Sequence, residues 1–132
     1  MVAVTNENTR KEDIYILGGI ELDQYERRFT TDQVITLSAD KQQWEMSHKL
    51  LQARHGHRSW VSYGFNPDES ITNYDEAVIW TVGGIPPAGS SLALEYFATH
   101  SQTSGQIDDD GTYDSRHHFD IMVFANGKLI IY

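Results

Sequence analysis

Cysteine is absent from the 132 residues of this chain. Its absence excludes disulfide bonds, thiolate metal sites and cysteine catalysis. A chain of this length is most simply one domain, and it can bury roughly two-thirds of the surface that the unfolded chain exposes. We therefore expect one hydrophobic core that needs no covalent or metal staple.

Long apolar segments are also lacking. The first residues, MVAVTNENTRKED, turn polar after the opening MVAV and contain no apolar segment typical of a signal peptide. No apolar run approaches the ~20 residues that span a bilayer. We expect a soluble protein that is cytoplasmic by default, with release outside the cell by lysis or leaderless export as the alternative.

Basic residues are few, since 10 Lys and Arg stand against 19 Asp and Glu, which gives a formal net charge of −9. Nucleic-acid surfaces and surfaces that bind anionic lipid both need clustered Lys and Arg. The sequence thus predicts no nucleic-acid partner and no membrane insertion. The ordinary consequence of this much negative charge is solubility.

Catalytic motifs are scarce. The chain has no G-x-S-x-G nucleophile elbow. Asp68 with Glu69, and Asp75 with Glu76, have the residue types of a glycosidase pair, but such pairs are equally typical of loops and strand ends. We predict that the protein is not an enzyme, and we keep a small hydrolase as a third functional class.

The strongest structural signal is an alternation within residues 77–97. Apolar residues recur with a period of two at residues 78–82 and 92–96, as in pleated strands. Residues 83–89 between them contain two prolines, which cannot donate to a strand ladder. We predict that the two strands form the central hairpin of an antiparallel sheet, with Trp80 in the core.

Further short strands are predicted at residues 13–17, 33–37 and 59–65, where β-branched and aromatic residues lie between turn signals. Gly18 and Gly19 are expected to end the first of them. These strands are spaced as in an antiparallel all-β domain.

The C-terminal part predicts a closing hairpin. Residues 119–124 and 129–132 are apolar and flank an Asn-Gly dipeptide, which is typical of two-residue turns. We predict a mainly β fold, an antiparallel β-sandwich, over residues 13–132. Residues 1–12 are expected to be a flexible N-terminal arm or an edge segment.

Residues 40–54, DKQQWEMSHKLLQAR, fit two structures. Most of them are good helix formers, Asp40 suits the start of a helix, and Gly56 suits its end. The alternation of apolar residues that begins at Trp44 suits a strand instead. We predict one short helix over about residues 40–54, with a strand as the alternative.

An acidic segment is the first candidate for chemistry. Four of the seven residues 108–114 are aspartate, within a long polar loop predicted over residues 99–115. Carboxylates this close repel one another, and a calcium ion bound by their oxygens would relieve the repulsion. A solvated acidic turn around Gly111 is the alternative.

Histidines are the second candidate. His55 and His57 flank Gly56 and can share one face of a strand, whereas the adjacent His117 and His118 cannot. Two histidines without a third placed ligand are weak evidence for zinc. Surface or hydrogen-bonded histidines are the more common finding.

Aromatic residues are the third candidate. The chain has 3 Trp and 7 Tyr, too many for all of them to be buried with their polar tips paired. Exposed rings beside Asp, Asn and His are typical of sugar recognition, because the rings cover C–H patches while carboxylates and amides bind hydroxyls. The composition therefore favours a carbohydrate site.

Two short stretches resemble the small calcium-dependent galactose-binding lectins of bacteria, which are β-sandwiches of similar length. Residues 60–64 (WVSYG) are similar to a W-x-x-Y-G segment whose Tyr carbonyl binds calcium in that family. Residues 108–113 are similar to a D-x-x-G-T-[YF] loop whose Asp and Thr bind the ion that also holds the sugar. The calcium ligands that this implies are Tyr63, Asp108 and Thr112. Ser115 and Arg116 stand where that family has two asparagine ligands, and the charge of Arg116 would repel a cation.

These patterns favour a non-catalytic, lectin-like carbohydrate-binding module, which could form a homo-oligomer. The alternative is a structural or assembly subunit of a virion, an appendage or a toxin complex, which a large flat apolar patch would favour. The residues predicted to bind the carbohydrate are His57, Tyr63, Tyr113, Asp114 and His117. The residues predicted to bind calcium, the expected cofactor, are Tyr63, Asp108, Asp110 and Thr112.

Overall fold

The computed structural model describes residues 1–6, 8–63, 76–88 and 94–106, together with the backbone of residues 107, 122–125 and 128–131. These described residues form ten strands, in chain order β1 Val2–Thr5, β2 Glu12–Leu22, β3 Arg28–Leu37, β4 Trp44–Lys49, β5 Arg58–Tyr63, β6 Ala77–Val82, β7 Leu94–Ala98, β8 Ser104–Ile107, β9 Met122–Ala125 and β10 Lys128–Ile131. No helix occurs among these residues, so none in this part of the chain could cross a membrane.

Eight of these strands form two antiparallel sheets. Sheet I has the order β1-β2-β3-β4, sheet II has the order β5-β6-β7-β8, and β9 and β10 pair as a separate hairpin. Each four-stranded sheet is a meander, because strands adjacent in sequence are adjacent in the sheet. The predicted mainly β, antiparallel, sandwich-like fold is confirmed.

Apolar side chains of both sheets share one core. Its buried members are Val2, Val4, Leu17, Val34, Leu50, Ala77 and Ile79. Tyr15 and Val61 are partly buried against them. All six residues of β6 are buried, as expected of a central strand that is covered on both faces.

Strands β6 and β7 form the predicted central hairpin. Trp80 lies opposite Tyr96, and Val78 lies opposite Ala98. Strand β7 begins at Leu94 and runs two residues beyond the predicted end. Trp80 has no exposed surface, which confirms its predicted core position.

Strand β8 falls inside the segment predicted as a long polar loop, so this prediction was wrong for residues 104–107. The strand pairs with β7, and Gly105 lies opposite Tyr96. A Cβ at Gly105 would collide with the Tyr96 hydroxyl. The ring of Tyr96 on β7 lies over Gly105 and occupies the space that a side chain at this position would fill.

Gly18 and Gly19 do not end a strand, contrary to prediction. Strand β2 continues to Leu22, with a bulge in its pairing with β3 between Leu17 and Gly19. Gly18 has φ +58° and Gly19 has φ +106°, values that glycine adopts without steric cost. Positive φ here lets the strand bulge and continue.

The helix predicted over residues 40–54 is wrong, and the alternative is correct for residues 44–49. These residues form β4, in which Trp44 pairs with Leu37 and Met46 pairs with Ile35. Helix propensity differs by only a few tenths of a kcal/mol among such residues, so pairing with a neighbouring strand overrides it.

Part of residues 1–12, for which a flexible arm or an edge segment was expected, forms an edge strand. Val2–Thr5 pairs with β2, and Val2 and Val4 are buried between the sheets. A flexible arm is therefore wrong for these four residues, since burial of alternate valines fixes them. The extent of a single domain over residues 13–132 stays a prediction.

The closing hairpin is confirmed at the level of the backbone. Strand β9 pairs antiparallel with β10, and Ala125 lies opposite Lys128. This register leaves two residues for the connection, as the Asn-Gly dipeptide predicts.

Candidate functional site

Most of the predicted site residues lie outside the described part of the chain. They are Asp108, Asp110, Thr112, Tyr113, Asp114 and His117. Their roles in binding calcium and carbohydrate stay predictions. Among the described residues, no three His, Cys, Asp or Glu side chains are placed to hold a metal ion.

The two remaining predicted residues, Tyr63 and His57, lie at opposite ends of β5. Tyr63 pairs with Ala77, and Arg58, which follows His57, pairs with Val82. Six residues of extended strand span about 20 Å. The structure therefore does not bring these two side chains to one small ligand.

His57 is half-buried and lies near Gly84 rather than in an open site. Its Cβ is 3.0 Å from the position that a Cβ on Gly84 would occupy. Burial, with the nearby charge of Arg54, lowers the pKa of His57 to about 4. Its Nδ1 is buried without a hydrogen-bond partner among the described residues. These surroundings fit a neutral histidine that fills space between the sheets.

His48 is a second half-buried histidine. Its ring stacks on Phe97 of sheet II, with the ring centroids 3.5 Å apart. Burial lowers its pKa to about 4. This contact joins the edge strand of sheet I to β7.

The two histidines predict a loss of stability in acid. Their pKa values in the folded state, about 4, lie below the ordinary value of 6.5. The unfolded chain therefore binds more protons than the folded chain between these pH values, and stability falls as pH decreases through this window. Urea denaturation at a series of pH values from 7 to 4 measures the fall.

The variant His48→Phe keeps a ring on Phe97 but removes the titrating group, so it should make this pH dependence shallower. His100→Gln changes an exposed histidine and should leave the slope as in the parent protein. An equal slope in His48→Phe and the parent would contradict the assignment.

A buried ion pair also joins the sheets. Arg54 follows β4 and donates from Nη2 to Glu95 Oε2 at 2.8 Å and from Nη1 to the Gly83 carbonyl at 3.1 Å. The amide of Leu51 donates to Glu95 Oε1 at 3.0 Å. Burial raises the pKa of Glu95, and the Arg54 charge and the Leu51 amide oppose that rise. Because protein groups already bind both charges, we assign the pair a structural role.

A polar cleft lies at the end of the sandwich that holds Tyr63. It has a volume of about 120 Å³ and lies between the start of sheet I and the start of β6. Its polar lining residues are Thr5, Asn6, Asn8, Asp13, Tyr15, Glu76, Thr99 and His100. Sequence patterns did not predict this cleft.

Asn6 and Asp13 build one wall of the cleft. Asn6 Nδ2 donates to Asp13 Oδ2 at 3.1 Å, and the Ala39 amide donates to Asp13 Oδ1 at 3.0 Å. Asn6 Oδ1 accepts from the amides of Asn8 and Thr9. An Asx turn of this kind fixes the chain that leaves β1 and places Asn8 at the cleft.

Glu76 holds the opposite wall. Its side chain is buried, and its carboxylate accepts hydrogen bonds from the His100 amide, the Ser101 amide and the Ser101 hydroxyl. The turn after β7 is thereby tied to the start of β6, with His100 exposed at the cleft. The carboxylate pair considered for hydrolysis thus contains one residue that anchors a turn.

One tyrosine, Tyr15, lines the cleft, and a second, Tyr63, lies beside it. The ring of Tyr15 packs on the core, and burial together with the charge of Asp13 raises its pKa, so its hydroxyl stays protonated. The hydroxyl of Tyr63 accepts a hydrogen bond from the Thr5 amide at 3.1 Å. Tyr63 is 53% exposed, and Thr5 and Ala77, its two neighbours, line the cleft.

The cleft offers neutral and acidic hydrogen-bonding groups. Among the described residues that line it there is no Lys or Arg. The side chains of Asn8 and His100 make no hydrogen bond to other described residues, so both can meet a ligand. Chemically, the arrangement suits a small uncharged ligand with several hydroxyls.

Comparison with known proteins adds no assignment. No protein-family model and no curated protein matches this chain.

Proposed function

We propose that this protein is a non-catalytic, lectin-like carbohydrate-binding module whose ligand binds in the polar cleft. The observation that carries the proposal is the convergence of amide, carboxylate and hydroxyl groups in one cleft beside the exposed ring of Tyr63. Tyr63, which the sequence predicts to bind the sugar, lies beside the cleft through its contacts with Thr5 and Ala77 but does not line it.

The chemistry of a sugar supports this choice. Sugar hydroxyls both donate and accept, so their recognition needs amides and carboxylates at fixed positions. Asn6 and Asp13 are held by hydrogen bonds to each other and to the backbone. A fixed site of this kind loses little conformational entropy when a ligand binds.

The charge of the cleft narrows the ligand class. Asp13 and Glu76 line the cleft, and the whole chain carries a net charge of −9. Sialylated or sulfated sugars would meet repulsion here, whereas neutral hexoses would not. We therefore propose a neutral sugar.

Calcium belongs to the proposal as a cofactor. The predicted ligands, Asp108, Asp110, Thr112 and the carbonyl of Tyr63, follow from the acidic segment and the lectin resemblance. Because Tyr63 lies beside the cleft, an ion bound there would lie close to the bound sugar. When bound, calcium would supply a positive charge that can coordinate sugar hydroxyls.

A glycan array, probed with and without calcium, tests the proposal. We expect binding to neutral glycans, and we expect EDTA to reduce it. Calorimetric titration of the best glycan then tests the site. The double variant Asn8→Ala/His100→Ala removes two exposed polar side chains and should raise Kd at least about tenfold, because each lost hydrogen bond contributes about 1 kcal/mol.

The matched control is Gln24→Ala/Gln43→Ala, which truncates two exposed polar residues that do not line the cleft. It should bind as the parent protein does. If both double variants bound the glycan with equal affinity, the ligand would bind somewhere other than the cleft. An array without any binding would overturn carbohydrate recognition itself.

A second candidate function, a subunit of a larger assembly, is favoured by a separate observation. The outer face of sheet I is apolar, and Trp44 and Met46 on it are 45% and 62% exposed. Soluble monomers seldom leave a contiguous apolar face in water.

A further inference from the structure

The apolar face of sheet I consists of two rows of side chains across three strands. Leu17 and Val34 point into the core, so the residues that alternate with them point outward. By register, the rows are Ile14, Leu37 and Trp44, and Ile16, Ile35 and Met46. We call these six residues the outer patch.

The outer patch is open to solvent. Four of its members are half-buried, and Trp44 and Met46 are exposed. A hollow of about 370 Å³ adjoins it, lined in part by Ile14, Leu37 and Gln42. An antiparallel sheet in a sandwich ordinarily presents polar residues on its solvent side. An apolar outer face therefore indicates a surface that a partner covers.

The distribution of charge selects the partner. With the buried Arg54–Glu95 pair left out, residues 1–54, which contain sheet I, carry 6 Lys and Arg against 9 Asp and Glu, whereas residues 55–132 carry 3 against 9. Two copies of this acidic chain therefore meet with least repulsion through sheet I. A basic partner would be drawn to the other part of the chain, and an anionic lipid surface would be repelled by the net charge.

Exposed charges at the ends of the strands of sheet I are paired within the chain. Lys11 lies 3.9 Å from Asp40, and Lys41 lies 3.4 Å from Glu45. Each pair is neutral as a whole, so these residues leave little net charge beside sheet I. A second copy can therefore approach this sheet without facing an excess of charge of one sign.

We propose that two copies of this protein associate face to face through the outer patch and form a closed, symmetric dimer. The proposal gives the assembly alternative a defined partner and is independent of sugar binding. Tyr15 and Asp13 line the cleft, whereas Ile14 between them lies in the outer patch, so one face can bind a partner while the other binds a ligand.

Sedimentation equilibrium from low micromolar to several hundred micromolar protein tests the dimer. We expect a monomer–dimer equilibrium that shifts toward dimer when salt rises, because salt screens the repulsion between two chains of charge −9. The variant Met46→Lys places a charge in the patch and should raise the dissociation constant at least about tenfold.

The matched control is Ile85→Lys, which makes the same change in net charge at an isoleucine that is 51% exposed and follows β6 of sheet II. It should dimerise as the parent protein does. Thermal melting of both variants checks that each stays folded, since both sites are largely in solvent.

Three outcomes would overturn the proposal. They are a parent protein that stays monomeric at all concentrations in low and high salt, equal dimerisation of the two variants, and a parent protein that forms open-ended larger species. Sugar binding is measured separately in the cleft, so its failure leaves this result unaffected, and the reverse also holds.

Discussion

The variant Trp80→Ala is expected to lose about 3–5 kcal/mol of unfolding free energy, the range for truncation of a large aromatic residue in a core. Trp80 has no exposed surface and lies on the central strand of sheet II. The centroid of its ring lies 5.9 Å from the ring centroid of Trp60 and 5.7 Å from that of Tyr96. Its Nε1 donates to the Ser62 hydroxyl at 2.7 Å, so truncation also removes a partner from that group.

Urea denaturation followed by far-UV circular dichroism measures this loss without relying on tryptophan emission. The variant Tyr25→Ala is the control, because it truncates an aromatic ring that is 68% exposed and lies outside the outer patch. Its loss should be clearly smaller. A change in unfolding free energy of no more than about 0.5 kcal/mol, the scatter typical of surface substitutions, would show that Trp80 is not a core residue.

The variant Arg54→Met is expected to destabilise the protein by about 3–5 kcal/mol, because it leaves the Glu95 carboxylate buried without its cation. The side chains of Arg54 and Glu95 are 0% and 6% exposed, so water cannot replace the lost partner. The free energy of unfolding from urea denaturation at pH 7 measures the effect.

A second substitution separates charge from packing. In Arg54→Met/Glu95→Gln the buried charge is gone, while the amide oxygen can still accept from the Leu51 amide. This double variant should recover at least half of the loss. The control Lys41→Met breaks a salt bridge whose side chains are 63% and 50% exposed, and it should change stability by no more than about 0.5–1 kcal/mol.

An Arg54→Met protein as stable as the Lys41→Met protein would contradict a structural role for the ion pair. A double variant that is no more stable than Arg54→Met would assign the loss to packing of the arginine stem instead.

The sequence could predict the elements whose signals are local. The alternation around Trp80, the proline-containing turn after it and the Asn-Gly dipeptide each act over a few residues. The central hairpin and the closing hairpin were therefore found from sequence, and with them the antiparallel β class.

Strand β4 could not be decided in the same way. Residues 44–49 have side chains that suit either a helix or a strand, with free energies that differ little. Pairing of Trp44 with Leu37 and of Met46 with Ile35 decides the outcome. Likewise, Gly18 and Gly19 resemble a strand end, and only the presence of β3 beside them makes them a bulge.

The cleft depended even more on tertiary structure. Its polar residues, Asn6 and Asp13 near one end of the chain and Glu76 and His100 far along it, have no common motif. Asn6 and Asn8 lie in a polar run, and Glu76 belongs to a carboxylate pair, but neither signal places one residue near another.

Local periodicity depends on neighbours along the chain, so the amino-acid sequence by itself determined which stretches form the two predicted hairpins. The cleft and the outer patch depend instead on which strands pair and which faces of the sheets meet. Burial of Val2 and Val4 against Ala77 and Ile79 is the physical event that brings the first residues of the chain to the start of β6. That burial, which only the tertiary structure provides, places Asn6 opposite Glu76.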